Sequence, residues 1–317
     1  MQTYLERYSG IERFPPVKEK LPCGKDLFIV FNRRSHGGCK KTEELIRFCK
    51  LHGLKTNLFD IRKSGDLEGI IQEIFTTSEN PFLVIIGGDG THSSVASELI
   101  KAGKNDLPVI FAAAGSGQDL ARAMGNNRPG IEQVLLKEQV DIEKFDALRV
   151  VVTRPNQAEE VQYAIGHVSF GITAKSAAKI NAIRPKTIVG NIFISLKSIT
   201  SDKIRVDLPK EGRRDCSDLI IVNSKTFGRY LHSSSHPQDG RYETYLLEGN
   251  PLALSNFAAL SLVRPARGDR RSEIEFTLLD PVKPQLDGEQ KFGIEPLPAR
   301  TQIKVEIAKG VVPAVKP

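Results

Sequence analysis

Phe82-Leu83-Val84-Ile85-Ile86-Gly87-Gly88-Asp89-Gly90-Thr91 is the stretch on which the fold turns. Its five apolar residues, rich in β formers, predict a strand buried on both faces, as in the middle of a parallel sheet. The strand breaks into glycines, and beyond them Val95, Ala96, Leu99 and Ile100 recur on one helical face until Gly103 stops the helix. A strand that turns through glycine into a helix points backbone amides outward at the helix N-terminus, where open α/β sheets bind their ligands. Gly87, Gly88 and Gly90 let the backbone approach phosphate oxygens closely, and Thr91 offers a hydroxyl or a helix cap. Asp89 would repel phosphate if aimed straight at it, so it suits either Mg²⁺ already bound to the phosphates or a hydrogen-bonded role. The segment therefore predicts a nucleotide phosphate site, with ATP the favoured nucleotide. Its bland alternative is a glycine turn followed by an ordinary N-cap.

Working outward, Leu27–Phe31 reads as a buried strand that ends at Asn32. The loop Arg33-Arg34-Ser35-His36-Gly37-Gly38 then leads to a helix with Leu45, Phe48 and Cys49 inward and Gly53 as its stop. Leu54–Ile61 reads as a strand and Asp66–Phe75 as a helix burying Leu67, Ile70, Ile71 and Ile74. Downstream, a strand over Pro108–Ala112 enters Gly115-Ser116-Gly117-Gln118-Asp119 and a helix through Leu120 and Ala123 to Gly125. This alternation predicts an α/β domain: a parallel sheet with helices on both faces. The second glycine loop holds the same topological position as the first, so Gly115, Ser116 and Gly117 can complete the phosphate cradle, with Asp119 near the metal or charge network. Read alone, it is equally a plain connector.

From about Asp141 the texture becomes β-type: Ala147–Thr153, Gln162–His167, Leu219–Val222, Tyr242–Leu247, Glu273–Leu278 and Gln302–Ile307. Helical interruptions are expected around Ile172–Ala182 and Leu252–Val263. The chain thus divides into an extension (1–25), a nucleotide-binding α/β domain (26–140), a mostly-β substrate domain (141–300) and a C-terminal strand and tail (301–317) that can return to the first domain. A length of 317 residues favours two cores, and 40% apolar with 26% charged residues is ordinary for a globular protein.

Cys23, Cys39, Cys49 and Cys216 form no C-x-x-C pair, which argues against a zinc site or disulfide framework and for reduced thiols in a cytoplasm. No run approaches the roughly 18 apolar residues of a membrane span, and Met1–Gly10 lacks the apolar core of a signal peptide. The net charge of +7 suits an anionic partner or simply a basic surface. Nucleic acid is not expected, because no basic stripe interleaved with aromatics, zinc-finger spacing or basic zipper helix is visible. Arg33 and Arg34 follow the first strand, where they can meet phosphate or nucleotide or simply face solvent, and His92, in the first turn of a helix, can contact phosphate but is expected to be exposed. Arg264, Arg267, Arg270 and Arg271 read as a solvated loop or as a face toward an anionic bilayer.

Taken together, the loops resemble the catalytic domain of the diacylglycerol kinase family, soluble lipid kinases that include sphingosine and ceramide kinases and are more distantly similar to NAD kinase. The family pattern has an Asn-x-x-Ser-x-Gly turn, a Gly-Gly-Asp-Gly-Thr loop, a Gly-Thr-x-Asn-Asp-like loop and a late Asp-Gly-Glu. Here these are Asn32, Ser35 and Gly37; Gly87 to Thr91; Gly115 to Asp119; and Asp287-Gly288-Glu289. The resemblance implies a Rossmann-like nucleotide domain, a β-sandwich second domain and an active site in the cleft between them. It also implies phosphorylation of a lipid hydroxyl, diacylglycerol-like by preference, with Mg-ATP at an anionic membrane surface, the enzyme being cytoplasmic and peripheral at the inner face. Asp89 would serve nucleotide and metal, Glu289 would be the base, and Asp239-Gly240, followed by Glu243, matches a turn where structural Mg²⁺ can sit. Locally, Asp287-Gly288 is also simply a favoured two-residue hairpin turn. The chain departs from the pattern at His92, Ser93, Ser94, Gln118, Gly166 and Thr173. Those departures motivate the alternative of a non-catalytic nucleotide- or lipid-binding homologue. NAD kinase, which shares the glycine loop, is the other.

Overall fold

The computed structural model describes residues 18–22, 26–35, 37–61, 66–114, 118–124, 130–175, 203–227, 231–248, 257, 261, 265–293 and 295–315. Strands β1 (Lys18–Pro22) and β2 (Asp26–Phe31) are followed by α1 (Gly38–Leu51), β3 (Thr56–Asp60), α2 (Leu67–Thr77), β4 (Pro81–Gly87), α3 (Asp89–Lys101) and β5 (Val109–Ala113). Two short helices, α4 (Asp119–Ala123) and α5 (Ile131–Leu135), lead into β6 (Gln139–Thr153), β7 (Glu160–Ala164) and β8 (His167–Gly171). Further strands are β9 (Ile204–Leu208), β10 (Gly212–Cys216), β11 (Asp218–Val222), β12 (Thr226–Phe227) and β13 (Leu231–His232). The series ends with β14 (Tyr242–Leu247), β15 (Asp269–Arg271), β16 (Glu273–Leu278), β17 (Pro284–Leu286) and β18 (Gln302–Val315).

The first domain is built on a parallel sheet of order β3-β2-β4-β5. All seven residues of β4 are buried, and the period of two sends them to opposite helix layers. Leu83 and Ile85 pack with Ile70, Ile74, Val95 and Leu99 of α2 and α3, while Val84 and Ile86 pack with Leu45 and Cys49 of α1 and Val134 of α5. Both faces are covered, so the continuous apolar run is what this position demands. Asp66 starts α2 by accepting the Gly69 amide at 2.8 Å, an N-cap worth about 1 kcal/mol. Parallel pairing puts the carboxyl ends of β2, β4 and β5 on one edge, where Asn32, Gly88 and Ala114 emerge side by side.

The second domain is a sandwich of antiparallel sheets. One has the order β1-β6-β18-β16-β9-β10, with β7 also on β6; the other has the order β15-β14-β11-β8-β17. Their inner faces meet in a core of Val150, Val206, Phe276 and Val305 against Phe170, Leu219, Ile221 and Tyr242. The Tyr242 hydroxyl crosses between the sheets to donate to the Val305 carbonyl at 3.0 Å. The two longest strands belong to both domains. Phe145 and Ala147 of β6 and Val312 and Ala314 of β18 join the core beneath α2 and α3, and Val140, Ile142 and Val315 join the core beneath α1.

Two stretches differ from the expectation of the sequence. Gln162–His167 is not one strand: it is cut by the Ile165-Gly166 turn into β7 and β8. A strand, β1, lies in the polar lead, where Lys-Glu-Lys-Leu-Pro shows no alternation and pairing with β6 decides its conformation. The expected helix from Ile172 is described only to Lys175, and Leu252–Val263 lies outside the described residues apart from Phe257 and Ser261. Among the described residues no helix is long and apolar enough to cross a membrane.

Asp218 opens the central strand β11, fully buried, and its Oδ2 accepts the Thr173 amide at 2.5 Å. Burial pushes its carboxyl up to about 7. Because the folded-state value is raised, its contribution to stability is complete below about pH 4 and is lost as the pH rises to about 7. Asp218→Asn keeps the acceptor and removes the titration. Urea unfolding is expected to show that the variant loses less stability between pH 4 and pH 8 than wild type; equal losses would mean that Asp218 is ionised throughout.

Candidate active site

At the carboxyl edge of the parallel sheet the loops are laced together before any ligand arrives. Asn32 accepts the Arg34 amide on Oδ1 at 3.0 Å and donates from Nδ2 to Thr91 Oγ1 at 3.1 Å, joining the loop after β2 to the first turn of α3. The Gly37 amide donates to the Ala114 carbonyl at 2.9 Å, and the Ala114 amide donates to the Gly87 carbonyl at 2.8 Å. Thr91 is packed so tightly over Gly87 that a Cβ built there would fall 2.5 Å from its side chain. Ser35 is half-buried and donates its amide to the Asn32 carbonyl at 2.9 Å. Gly88 caps α3 with no side chain, which leaves the amides of the first turn for an anion.

The Asp89 carboxylate reaches across to α4, accepting the Leu120 amide at 3.0 Å and also the Asp119 amide. It thus supplies the cap that Gln118 does not. Burial first, and the Asp119 carboxylate second, push Asp89 up to about 7. A divalent cation fits this corner, because it would relieve the repulsion between two carboxylates that the fold holds together. Among the described residues no group of three or more His, Cys, Asp or Glu side chains is arranged for a metal, so phosphate oxygens would have to complete the shell, as Mg²⁺ sites commonly require.

The second domain contributes the turn between β17 and Gln290. Leu286 and Glu289 exchange backbone hydrogen bonds at 2.9 Å in each direction, and Asp287 (φ 49°) and Gly288 (φ 89°) both take positive φ, the requirement of a tight two-residue hairpin. The hairpin reading and the site reading are therefore one object. Asp287 does not face the glycine loop. It is buried, and its carboxylate accepts three amides, Ile165 at 2.7 Å, Gly166 at 2.9 Å and His167 at 2.7 Å. Glu289 is the exposed member, and its carboxyl group rests on Gly90: a Cβ at position 90 would fall 2.7 Å from Glu289 Cγ and 2.9 Å from Cδ. A side chain at 90 would force the Glu289 carboxylate to shift off this seat.

The structure thus brings together Asn32, Gly87, Gly88, Asp89, Gly90, Thr91, Asp119 and Glu289. Gly115, Ser116 and Gly117 lie outside the described residues. Asp239 is placed elsewhere, beside Asp146, with its carboxylate paired to Arg270 and accepting the Arg241 amide at 3.0 Å. Glu243 is buried and bonded to Ser234 and Tyr245. Arg33 pairs with Asp60. His92, expected to be exposed, is fully buried; its Nε2 donates to the Ala112 carbonyl at 3.2 Å, its ring meets Phe111 edge-on, and burial pulls it down to about 4, so it is neutral and part of the sheet–helix packing. One residue escaped the sequence reading altogether: Lys291, whose ammonium donates to Ser93 Oγ at 2.8 Å and to the Tyr163 carbonyl at 2.8 Å. Its signal was present in Ser93, the small polar residue that departs from the family pattern.

Residues 26–150 match the family model of the diacylglycerol kinase catalytic domain. The fold is similar to a crystal structure from Bacillus anthracis str. Sterne described as a diacylglycerol kinase, with TM-score 0.64, 14% identity, and 92% of this chain and 96% of that one covered. It is also similar to yeast NADH kinase complexed with NADH, with TM-score 0.54, 12% identity, and 92% and 83% covered. No curated protein matches the chain in sequence. The resemblance to the diacylglycerol kinase catalytic domain therefore holds over residues 26–150, which include three of the four loops, and the α/β-plus-antiparallel-β architecture is the one those structures share.

Asp287→Ala would leave three amides without this acceptor, those of Ile165 and Gly166 buried and that of His167 partly so. We expect a loss of at least about 3 kcal/mol in urea unfolding, with Asp287→Asn losing roughly half as much. A loss below about 1 kcal/mol for the alanine variant would show that the turn is held by other contacts.

Proposed function

We propose that this chain is a kinase that transfers the γ-phosphoryl group of Mg-ATP to a lipid hydroxyl, a diacylglycerol-like alcohol being the favoured acceptor. The observation that carries this reading is the seat of Glu289 on Gly90: a carboxylate from one domain lies against the glycine loop of the other, with helix amides open to phosphate beside it. The match of residues 26–150 to a kinase catalytic domain supports it.

In this reading the amides at the start of α3 bind phosphate oxygens, and Gly90 keeps the backbone low enough for close approach. Asp89, with Asp119 at its side, would hold Mg²⁺, whose contribution when bound is to neutralise charge on the phosphates. Glu289 would accept the hydroxyl proton as the oxygen attacks phosphorus, a role typically worth about 10²–10⁴-fold in rate. An alcohol is far weaker than a carboxylic acid, so the proton moves during transfer rather than before it. Little covalent work remains; alignment of hydroxyl and phosphate accounts for the rest.

A lipid acceptor has to be met at a bilayer surface. The net charge of +7 favours attraction to an anionic one, each nearby cation adding about 1 kcal/mol. Peripheral association at the inner membrane face is part of this proposal.

Incubation with Mg²⁺, γ-labelled ATP and mixed micelles of diacylglycerol, ceramide, sphingoid base or NAD tests the reading. Labelled lipid is expected from wild type, none from Asp89→Asn, and at least about 100-fold less from Glu289→Gln with ATP binding retained. Label on NAD alone would replace the lipid reading with a nucleotide kinase. ATP binding without any product would leave a binding protein.

A further inference from the structure

We propose that Lys291 is a positioning residue for Glu289: its ammonium, held between Ser93 Oγ on α3 and the Tyr163 carbonyl in β7, clamps the chain leaving the Asp287-Gly288 turn onto the helix that begins at the glycine loop. The inference rests on the kinase reading for what Glu289 does, though not for the clamp itself.

The geometry is a two-point contact. Gly90 and Ser93 are three residues apart on α3 and therefore lie on one helix face. Glu289 and Lys291 are two residues apart in a chain that has just left a hairpin turn. Glu289 meets Gly90, and Lys291 meets Ser93. One contact alone would let the turn rock about it; two along the helix fix both the distance and the tilt of the carboxylate. Tyr163 supplies the third side, because β7 runs along α3, and Lys101 at the far end of the helix donates to Gln162 Oε1 at 3.1 Å.

The cost of this arrangement argues that it is selective for lysine. Ser93 is fully buried, and burial pulls the Lys291 ammonium down to about 8 while the Asp287 and Glu289 carboxylates favour its charge. An ammonium brings three donors to a point, so it can serve both acceptors at once. A methionine of similar length would fill the space and leave both acceptors unserved. A serine at 93 is also short enough to let the lysine reach the helix backbone layer.

The test compares Lys291→Met, Ser93→Ala and the double variant with wild type in the labelled-ATP assay. A positioning role predicts that kcat falls about tenfold in Lys291→Met with KM for ATP within about twofold, because phosphate binding is left intact. It also predicts that the double variant is no slower than Lys291→Met, since one interaction is removed twice. Unchanged kcat per folded molecule, or losses that multiply, would overturn it. Hydrogen exchange is measured on the same proteins. If wild type phosphorylates none of the acceptors, the kinase reading fails, and the clamp stands or falls on this second measurement. At least about tenfold faster exchange of the Glu289 amide in Lys291→Met, with α2 unaffected, supports it; unchanged exchange overturns it.

Discussion

Three backbone amides closing on one carboxylate, that of Asp287, fix the turn of the second domain that carries Glu289 to the glycine loop. The turn that carries Asp287 needs positive φ at a non-glycine residue, which costs about 1 kcal/mol. Hydrogen bonds to a charged acceptor, each worth about 1.5–3 kcal/mol, more than offset that strain. The nest has a second consequence through Gly166, whose missing side chain leaves Asp287 Oδ1 and Leu120 Cδ2 each close to where a Cβ would stand, at 3.0 and 3.1 Å. Leu120 in turn gives its amide to Asp89. A continuous path therefore runs from the late turn, through the β7–β8 connection, to the carboxylate beside the glycine loop.

That path would be of little use if the domains were free to move as separate bodies. They are not joined by a linker alone: β6 and β18 pair with each other along the sandwich and on beneath the parallel sheet, with a register shift between Ala308 and Val312 where Gly310 takes φ 59°. Their terminal halves supply core residues to the first domain, so relative displacement would have to break buried packing as well as surface contacts. Glu289 is thus carried on a short turn from a scaffold that is already shared.

Much of this was legible in the sequence because it rests on local rules. The run Phe82–Ile86, rich in β formers and followed by glycine, reads as a buried strand entering a helix, and β4 and α3 are that. Asp287-Gly288 spelled its own turn type. What escaped depended on partners distant in the chain. Lys18–Pro22 has no strand pattern of its own and is made a strand by β6. The Ile165-Gly166 turn is imposed by Asp287 from 121 residues away in the case of Gly166. A first-turn residue of a surface helix is usually exposed, but α3 is packed on both sides near its start and His92 is buried there.

The departures from the family pattern take on a physical meaning once they are mapped. Ser93 receives Lys291, Gly166 makes room for Asp287, and Gln118 occupies the left-handed conformation (φ 67°) that asparagine tolerates better. Thr173 gives its amide to Asp218. Of these, Ser93 and Gly166 lie at the contact between the domains. The phosphate-facing run Gly87 to Thr91 is complete, and the departures at Ser93 and Gly166 fall where the second domain is fastened beside it. Gly90, the fourth residue of the Gly87–Thr91 run, leaves the Glu289 carboxylate its seat on that loop, and Lys291 fastens the same stretch of chain to Ser93 one helical turn further on.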